Sequence, residues 1–380
     1  MYDLAIVGSG IASSTTLCRL AERLELLQIP REMLRICVIE KELEMWNGTP
    51  YGSRSTVGAL AFQKLDEFLQ EPERSHYIHW LKANADSWLN TLREVGGAGA
   101  AKWLADNQSA MEQDKWGELY LPRFLFGLYV SSESARAVDR LSRSRRAKVT
   151  IIHGEAIGIS RSADKSLNII TVEDGADARV AVQATRVVLA IGSPPQKSMC
   201  RSTVASQHGH THLENIYEPS EDMSLAKIQQ VLSSLPEKRM GNILILGSNA
   251  SSLEVLYLIN YRSEIKKLIN SVVVLSRTGQ LPYKICENRV KFELTALETL
   301  RESSYFSAAE LMAAITGDIR RAEEAKVNIA DLRDPVGEVV SRLTGLMKIE
   351  EQERFVCEHG VHFSRMMRRA GRDTRNAADE

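Results

Sequence analysis

Cysteine is scarce: the chain has five in 380 residues (Cys18, Cys37, Cys200, Cys286 and Cys357), and no two form a C-x-x-C pair. That excludes a zinc ribbon and a dithiol redox centre, and argues against a disulfide reductase. Neither charge is in excess. Forty-eight basic residues face 49 acidic ones, a formal net charge of −1, so no field draws nucleic acid or an anionic bilayer. No apolar run approaches the ~18 residues of a membrane-crossing helix. A buried strand is already legible at residues 3–7, leaving no room for a signal peptide, so a cytoplasmic location with small-molecule partners is expected. The 44% of hydrophobic residues supply core for a folded enzyme of two domains.

What is present begins at once. The run from Asp3 to Val7 is apolar, Gly8, Ser9 and Gly10 follow, and Leu17, Leu20, Leu24 and Leu27 then recur at helical spacing. Pro30 ends that helix, and Leu34 to Ile39 supplies a second buried strand, so a βαβ unit is complete by Glu40. In Gly8-Ser9-Gly10-Ile11-Ala12-Ser13 the missing side chains let main chain approach a pyrophosphate, and the helix start offers free N–H groups to it. Ser13 replaces the third glycine of the usual pattern and still permits close helix–strand packing. Glu40, at the tip of the second strand, can accept hydrogen bonds from ribose hydroxyls.

Further along, all five tryptophans (Trp46, Trp80, Trp88, Trp103 and Trp116) fall among helix-favouring residues, and a helical insertion is expected over about 53–145. Val149 to His153, Ile157 to Ile159 and Asn168 to Val172 are β-rich, with a turn at Asp174-Gly175, and suggest an antiparallel meander. Val187 to Ile191 is a fully apolar strand, halted by Gly192-Ser193-Pro194-Pro195. This places a first domain at 1–195, a polar linker with some helix at 196–235, a second nucleotide-binding domain at 236–285 and a helical region at 286–380 with a fraying basic end.

The second βαβ unit runs from Asn242-Leu246 to Val272-Leu275, through a turn of Gly247, Ser248, Asn249, Ala250 and Ser251. Asn249 occupies the position where an absent side chain matters most for phosphate approach. Matching the units strand for strand sets Ser276 opposite Glu40 and Arg277 opposite Lys41, which removes the ribose carboxylate and offers a guanidinium. That favours a 2′-phosphate, hence NADPH over NADH.

Residues Lys41 to Gly52, with Trp46, Gly48, Thr49, Pro50 and Tyr51, resemble the flavoprotein segment that runs from the ribose-binding acid along the flavin ribityl chain. Thr185 to Gly192 resembles a second marker, an apolar strand ending in Ala-x-Gly at the edge of an FAD domain. Together with Leu121-Pro122-Arg123-Phe124 through Tyr129, Leu246 to Asn249 and Ser276 to Gly279, these motifs resemble the bacterial FAD/NAD(P)-binding protein family. More distantly they are similar to two-domain flavin monooxygenases such as the ornithine and lysine N-hydroxylases.

The resemblance implies an α/β flavoprotein with a Rossmann-like FAD domain. It implies FAD and NADPH as cofactors, and a monooxygenase acting on an amine or other small metabolite in which the cofactor carries the reactive atoms. It also turns the helix start at Arg123 toward the cofactor, where a guanidinium can meet a phosphate or an anionic substrate. Two rivals stand beside this reading: a flavin oxidase or dehydrogenase without nicotinamide, and a flavin-binding subunit active only with a partner protein. The second is motivated by a departure from the family pattern, since no apolar strand ending in glycine is read after residue 279.

Other residues have plainer readings. His208, His210 and His212 alternate in a polar stretch without a carboxylate cluster and read as a solvated loop, so no metal is expected. His76 and His79 share a helix face and read as a half-buried structural pair. The tryptophans read as core, and Cys37, within a buried strand, as inert.

Overall fold

The computed structural model describes residues 1–27, 33–163, 165–173, 178–193, 211–236, 239–285, 292–303 and 305–370. Pro30, Asp174, Gly175, Pro194, Pro195, Cys200, His208, His210 and Cys286, all singled out above, lie outside them. The chain forms two compact units, Met1–Arg239 and Met240–Glu380.

The first unit is built on a six-stranded sheet. Strand β1 (Tyr2–Val7), helix α1 (Ile11–Leu26) and β2 (Leu34–Glu40) form the first crossover. Helices α2 (Leu65–Phe68), α3 (Glu73–Ala83), α4 (Ala85–Val95), α5 (Gly97–Glu112) and α6 (Arg123–Arg143) make up the expected insertion. Strands β3 (Ala147–His153), β4 (Glu155–Arg161), β5 (Asn168–Glu173) and β6 (Arg179–Leu189) follow, and the sheet order is β3-β2-β1-β6-β5-β4.

One expectation is corrected here. The segment 149–153 was assigned to the antiparallel meander, but β3 runs parallel to β2, with Ile36 opposite Val149. Its cause is the preceding helix: α6 returns the chain over the same face as α1, and a helical crossover delivers a parallel strand. Leu17, Ala21 and Leu24 of α1 and Ala137 and Leu141 of α6 share one core with Ile6, Ile36 and Val38. The meander consists of β4, β5 and β6, and the chain enters it through Gly154, whose amide donates to the Glu40 carbonyl at 2.9 Å.

On the other face Ala5, Val7, Cys37 and Ile39 cluster with Ile170, Val172 and Val182 of the meander. Fully covering a side chain such as Ile36 contributes about 1.5–3 kcal/mol, which is why an uninterrupted apolar run suits a strand covered on both sides.

The polar stretch before residue 236 is more than a linker. Helix α7 (Glu221–Ser233), capped by Ser220 Oγ, which accepts from the Met223 amide at 3.3 Å, belongs to the first unit and buries Leu225 completely. Of the tryptophans, all five are buried, as core requires. His76 and His79 are both exposed rather than half-buried, because the buried face of α3 is formed by Tyr77, Trp80 and Leu81.

In the second unit, β7 (Gly241–Leu246), α8 (Ala250–Asn260), the short α9 (Ser263–Lys266) and β8 (Ile269–Leu275) make the second crossover, a two-stranded parallel sheet. The helices α10 (Thr295–Arg301), α11 (Ala308–Glu324), α12 (Ile329–Leu346), α13 (Ile349–Arg354) and α14 (Gly360–Met366) form a core of their own around Leu297, Leu311, Ile315, Val336 and Leu343.

Buried carboxylates fix the helix starts: Asp318 accepts from the Ala296 and Leu297 amides, each at 3.0 Å, and Glu351 from the Ala308 amide at 2.7 Å. A parallel pair of two-residue strands, β9 (Tyr283–Lys284) and β10 (Arg369–Ala370), connects the two ends of this helical part. After Leu275 no longer strand occurs among the described residues.

Candidate functional site: two stripped turns and a buried arginine

The turn after β1 needs glycine first for its own sake. Gly8 has φ +92°, and a Cβ there would lie 2.4 Å from the Ala190 carbonyl oxygen, so the end of β6 forbids any side chain. The Gly8 amide donates to the Ile39 carbonyl at 2.8 Å, drawing the turn toward the tip of β2. Gly10 caps α1, which has no side-chain cap and no acid in its first turn. By contrast α7, α11 and α12 are capped by Ser220, Ser307 and Asn328. An uncapped 16-residue helix with a bare turn presents unsatisfied N–H groups and the positive end of its dipole, and both suit a diphosphate.

Around this turn the predicted residues converge. Ser9 donates from its amide and hydroxyl to Glu40 Oε2 (2.6 and 2.7 Å), and Glu40 Oε1 accepts from the Glu42 amide at 3.0 Å. The carboxylate is thereby held at the crevice edge with lone pairs left for ribose hydroxyls. Ile11 and Ala12 open the helix, while Ser13 is fully buried against the sheet, as close packing at the third position requires.

Trp46, at φ +78°, turns its ring into the α1 core instead of along a ribityl chain. Its main chain does the local work: its amide donates to Ser9 Oγ at 3.3 Å and its carbonyl accepts from Ser14 Oγ at 2.8 Å. This brings Gly48 over the turn, where an added Cβ would be 3.2 Å from Gly10 Cα. Lys41 is exposed and pairs with Glu155 at 3.3 Å; Gly192, at φ +68°, is also exposed, just beyond β6.

Arg123 is buried, at 7% exposure, which rules out a plain surface arginine. It is the first residue of α6; its Nη2 donates to Ser55 Oγ at 2.6 Å and lies 3.9 Å from Glu221 Oε2. Glu221, 0% exposed, also accepts from the Thr56 amide (2.8 Å) and the Ser55 hydroxyl (3.2 Å). Ser55, Thr56 and Glu221 were not identified in the sequence. They are about 70 and 100 residues from Arg123, and no local pattern reports such a pairing.

The same helix start packs under Tyr51: a Cβ on Gly127 would fall 2.0 Å from the Tyr51 carbonyl oxygen. A small recess of about 10 Å³ lies here, room for about one water, lined by Tyr51, Gln63, Phe68, Tyr77, Arg123 and Phe126 among others. Burial raises the Tyr51 hydroxyl, opposed by the Arg123 charge, and raises Tyr77 well above an ordinary tyrosine, so both stay protonated near neutrality.

The second turn repeats the first in its main chain. Gly247 has φ +111°, and its amide donates to the Leu275 carbonyl at 2.8 Å, as Gly8 does to Ile39. Ser276 thus follows Leu275 as Glu40 follows Ile39, which agrees with the pairing read from the sequence. Asn249 caps α8 in extended backbone with no side-chain cap and no acid in the first turn. Ser248 is buried and donates to the Gln280 carbonyl at 2.7 Å; Ala250 is half-buried, and Ser251 and Arg277 are exposed. Among the described residues no three metal-ligating side chains cluster, and no helix is long and apolar enough to cross a membrane.

A parallel crossover with a bare turn, an uncapped helix and a carboxylate on the next strand defines a dinucleotide-binding protein. The chain belongs to the FAD-NAD(P)-binding family, whose sequence profile matches residues 5–194. Uncharacterised proteins of Mycobacterium tuberculosis and Mycobacterium bovis are 40% identical over 379 residues, covering 100% of this chain and 70% of theirs.

Among solved structures it is similar to ornithine hydroxylase from Pseudomonas aeruginosa (14% identity, TM-score 0.45, 98% of this chain and 72% of that one). It is also similar to the FAD-bound cadaverine monooxygenase of Erwinia amylovora (15% identity, TM-score 0.43, 82% of this chain), of which it spans 59%.

Proposed function

We propose that this chain is an FAD-dependent oxidoreductase that takes electrons from NADPH and acts as a monooxygenase on an amine or other small metabolite. The observation that carries the flavin half is the first crossover: an uncapped, acid-free helix start behind Gly8 and Gly10, with Glu40 held beside it. Gly8 to Ser13 would hold the diphosphate, Glu40 the ribose, and the Gly48–Tyr51 loop would lie along the rest of the cofactor. In the second unit Gly247 to Ser251 would face the nicotinamide diphosphate and Arg277 its 2′-phosphate.

Flavin supplies the electron and oxygen chemistry when bound; the chain's part is to orient it and exclude water. Family membership supports both cofactors, and the monooxygenase class follows from the resemblance to the N-hydroxylases. The test is an absorbance spectrum of the purified protein before and after NADPH, with and without oxygen. A yellow protein bleached by NADPH without oxygen, and recoloured by air, is expected. A colourless protein that takes up no FAD sinks the proposal.

Asn249 favours one rival, a flavin oxidase or dehydrogenase without nicotinamide, because it puts a side chain at the turn position where an absent one matters most for phosphate approach. Under that reading the flavin is bound, but NADPH fails to bleach it while another donor succeeds.

A further inference from the structure

Between Glu40 and Thr56 the chain makes neither helix nor strand, yet both flanks of this stretch are fixed to the body of the first unit. On one side the Trp46 ring lies in the α1 core and the Met45 carbonyl accepts from Ser131 Oγ at 3.2 Å. On the other, the Ser55 hydroxyl and the Thr56 amide donate to Glu221. The piece between carries Gly48 over the glycine turn, where an added Cβ would also lie 4.0 Å from the Ile11 amide nitrogen at the uncapped start of α1.

Three carboxylates alternate along residues 40–44, beside a turn suited to an anion, and donors engage each of them. Glu40 takes Ser9, Glu42 pairs with Arg54, and Glu44 reaches across the loop. Glu44 Oε1 accepts from Asn47 Nδ2 at 2.6 Å; Oε2 accepts from the Ser53 amide at 2.7 Å and the Ser53 hydroxyl at 2.5 Å. One side chain thus ties residue 47 to residue 53. Inside that tie the Gly52 and Tyr51 amides donate to the Gly48 carbonyl at 2.9 and 3.3 Å. Gly52 has to be bare for this, since an added Cβ would lie 2.8 Å from both Glu44 Oε2 and Asn47 Oδ1. A compact loop closed by its own side chains holds its shape before any ligand arrives. Glu44 is itself exposed, so these bonds order the loop and contribute little to the core.

We infer that Glu44 is a positioning residue for the flavin: it acts through the Gly48–Tyr51 loop, holding it in the shape the cofactor meets, and not by contact. The inference rests on the flavin reading above. A loop that takes its binding shape only part of the time lowers apparent affinity by that fraction. Charge alone works the other way. An exposed carboxylate beside a diphosphate repels it, so removing a mere bystander would leave FAD binding unchanged or tighter.

The test is a titration of FAD into the flavin-free full-length chain, with uptake and release rates followed by flavin fluorescence, for the parent, Glu44→Ala and Glu44→Gln. Glu44→Ala should bind FAD roughly tenfold more weakly, the loss lying in uptake while release is unchanged. Its flavin-free form should melt with the parent. Glu44→Gln loses the same charge but keeps an acceptor oxygen, and should recover part of the affinity.

The inference is overturned if Glu44→Ala binds FAD as tightly as the parent or tighter, or if its loss lies in faster release, the mark of a direct contact. It is equally overturned if the flavin-free variant melts well below the parent, or if Glu44→Gln is no better than Glu44→Ala. A parent that takes up no FAD removes the flavin reading and this role with it. A parent that binds FAD while both variants match it removes the role of Glu44 alone.

Discussion

Two crossovers in one chain share their main chain and differ in their surroundings. In each, a left-handed glycine donates from its amide to a carbonyl at the end of the second strand, Ile39 or Leu275, at 2.8 Å. Yet β1 and β2 lie inside a six-stranded sheet with Ile6, Ile36 and Val38 fully covered, whereas among the described residues β7 and β8 pair only with each other and leave Leu244 60% and Val273 53% exposed. The local fold is therefore a property of the turn and its two strands. How tightly it is held depends on neighbouring elements.

The sharpest way to break the likeness is at the glycines. Gly8→Ala drives a Cβ into the Ala190 carbonyl, in a backbone conformation that L-residues avoid, and should cost at least about 4 kcal/mol or prevent folded protein from accumulating. Gly247→Ala meets nothing nearer than Ser252 Oγ at 3.8 Å and should cost only the conformational strain, about 1–2 kcal/mol. Denaturant melts of both variants read the difference directly, and equal losses would contradict it.

Next in size is Glu221→Ala, which removes the buried carboxylate beside Arg123 that also accepts from Ser55 and Thr56 and should cost about 3–5 kcal/mol. Glu221→Gln, keeping the shape, should restore part of it in the same melts. Strand burial gives a smaller contrast: Ile36→Ala should cost about 2–5 kcal/mol, and Leu246→Ala, 48% exposed, within about 0.5 kcal/mol.

The smallest effect is a slope with pH. Burial pushes the Cys37 thiol up to about 11 from an ordinary value near 9, so it stays protonated in the fold while the unfolded chain ionises. Its contribution is intact below pH 9 and is lost as pH rises through about 11. Replacing Cys37 by Val should flatten that part of an alkaline stability profile.

The two crossovers, the helical insertion and the buried tryptophans were legible because each is a local pattern: an apolar run, a glycine turn, a helical repeat. The direction of β3 was not, since Val149 to His153 has the same apolar texture in either orientation and only the helix before it decides. Gly8, Ser9, Gly10 and Glu40 came together as read, but Trp46 did not, because a large ring beside a turn can face the core as readily as a ligand. Glu221 and Tyr77 could not have been found at all. Their significance lies in being enclosed, and enclosure is produced by segments far apart in the chain.

Strand β6 has a divided allegiance. Residues 179–184 pair with β5 and 184–189 with β1, the two ladders meeting at Ala184, and the chain runs on to Ala190, whose carbonyl shuts out any side chain at Gly8. One rigid beam thus anchors the meander at one end and sets the width of the nucleotide crevice at the other. A residue added to or deleted from its middle would slide one ladder against the other and move the crevice wall, so variation along the meander is tolerable only in its connecting turns.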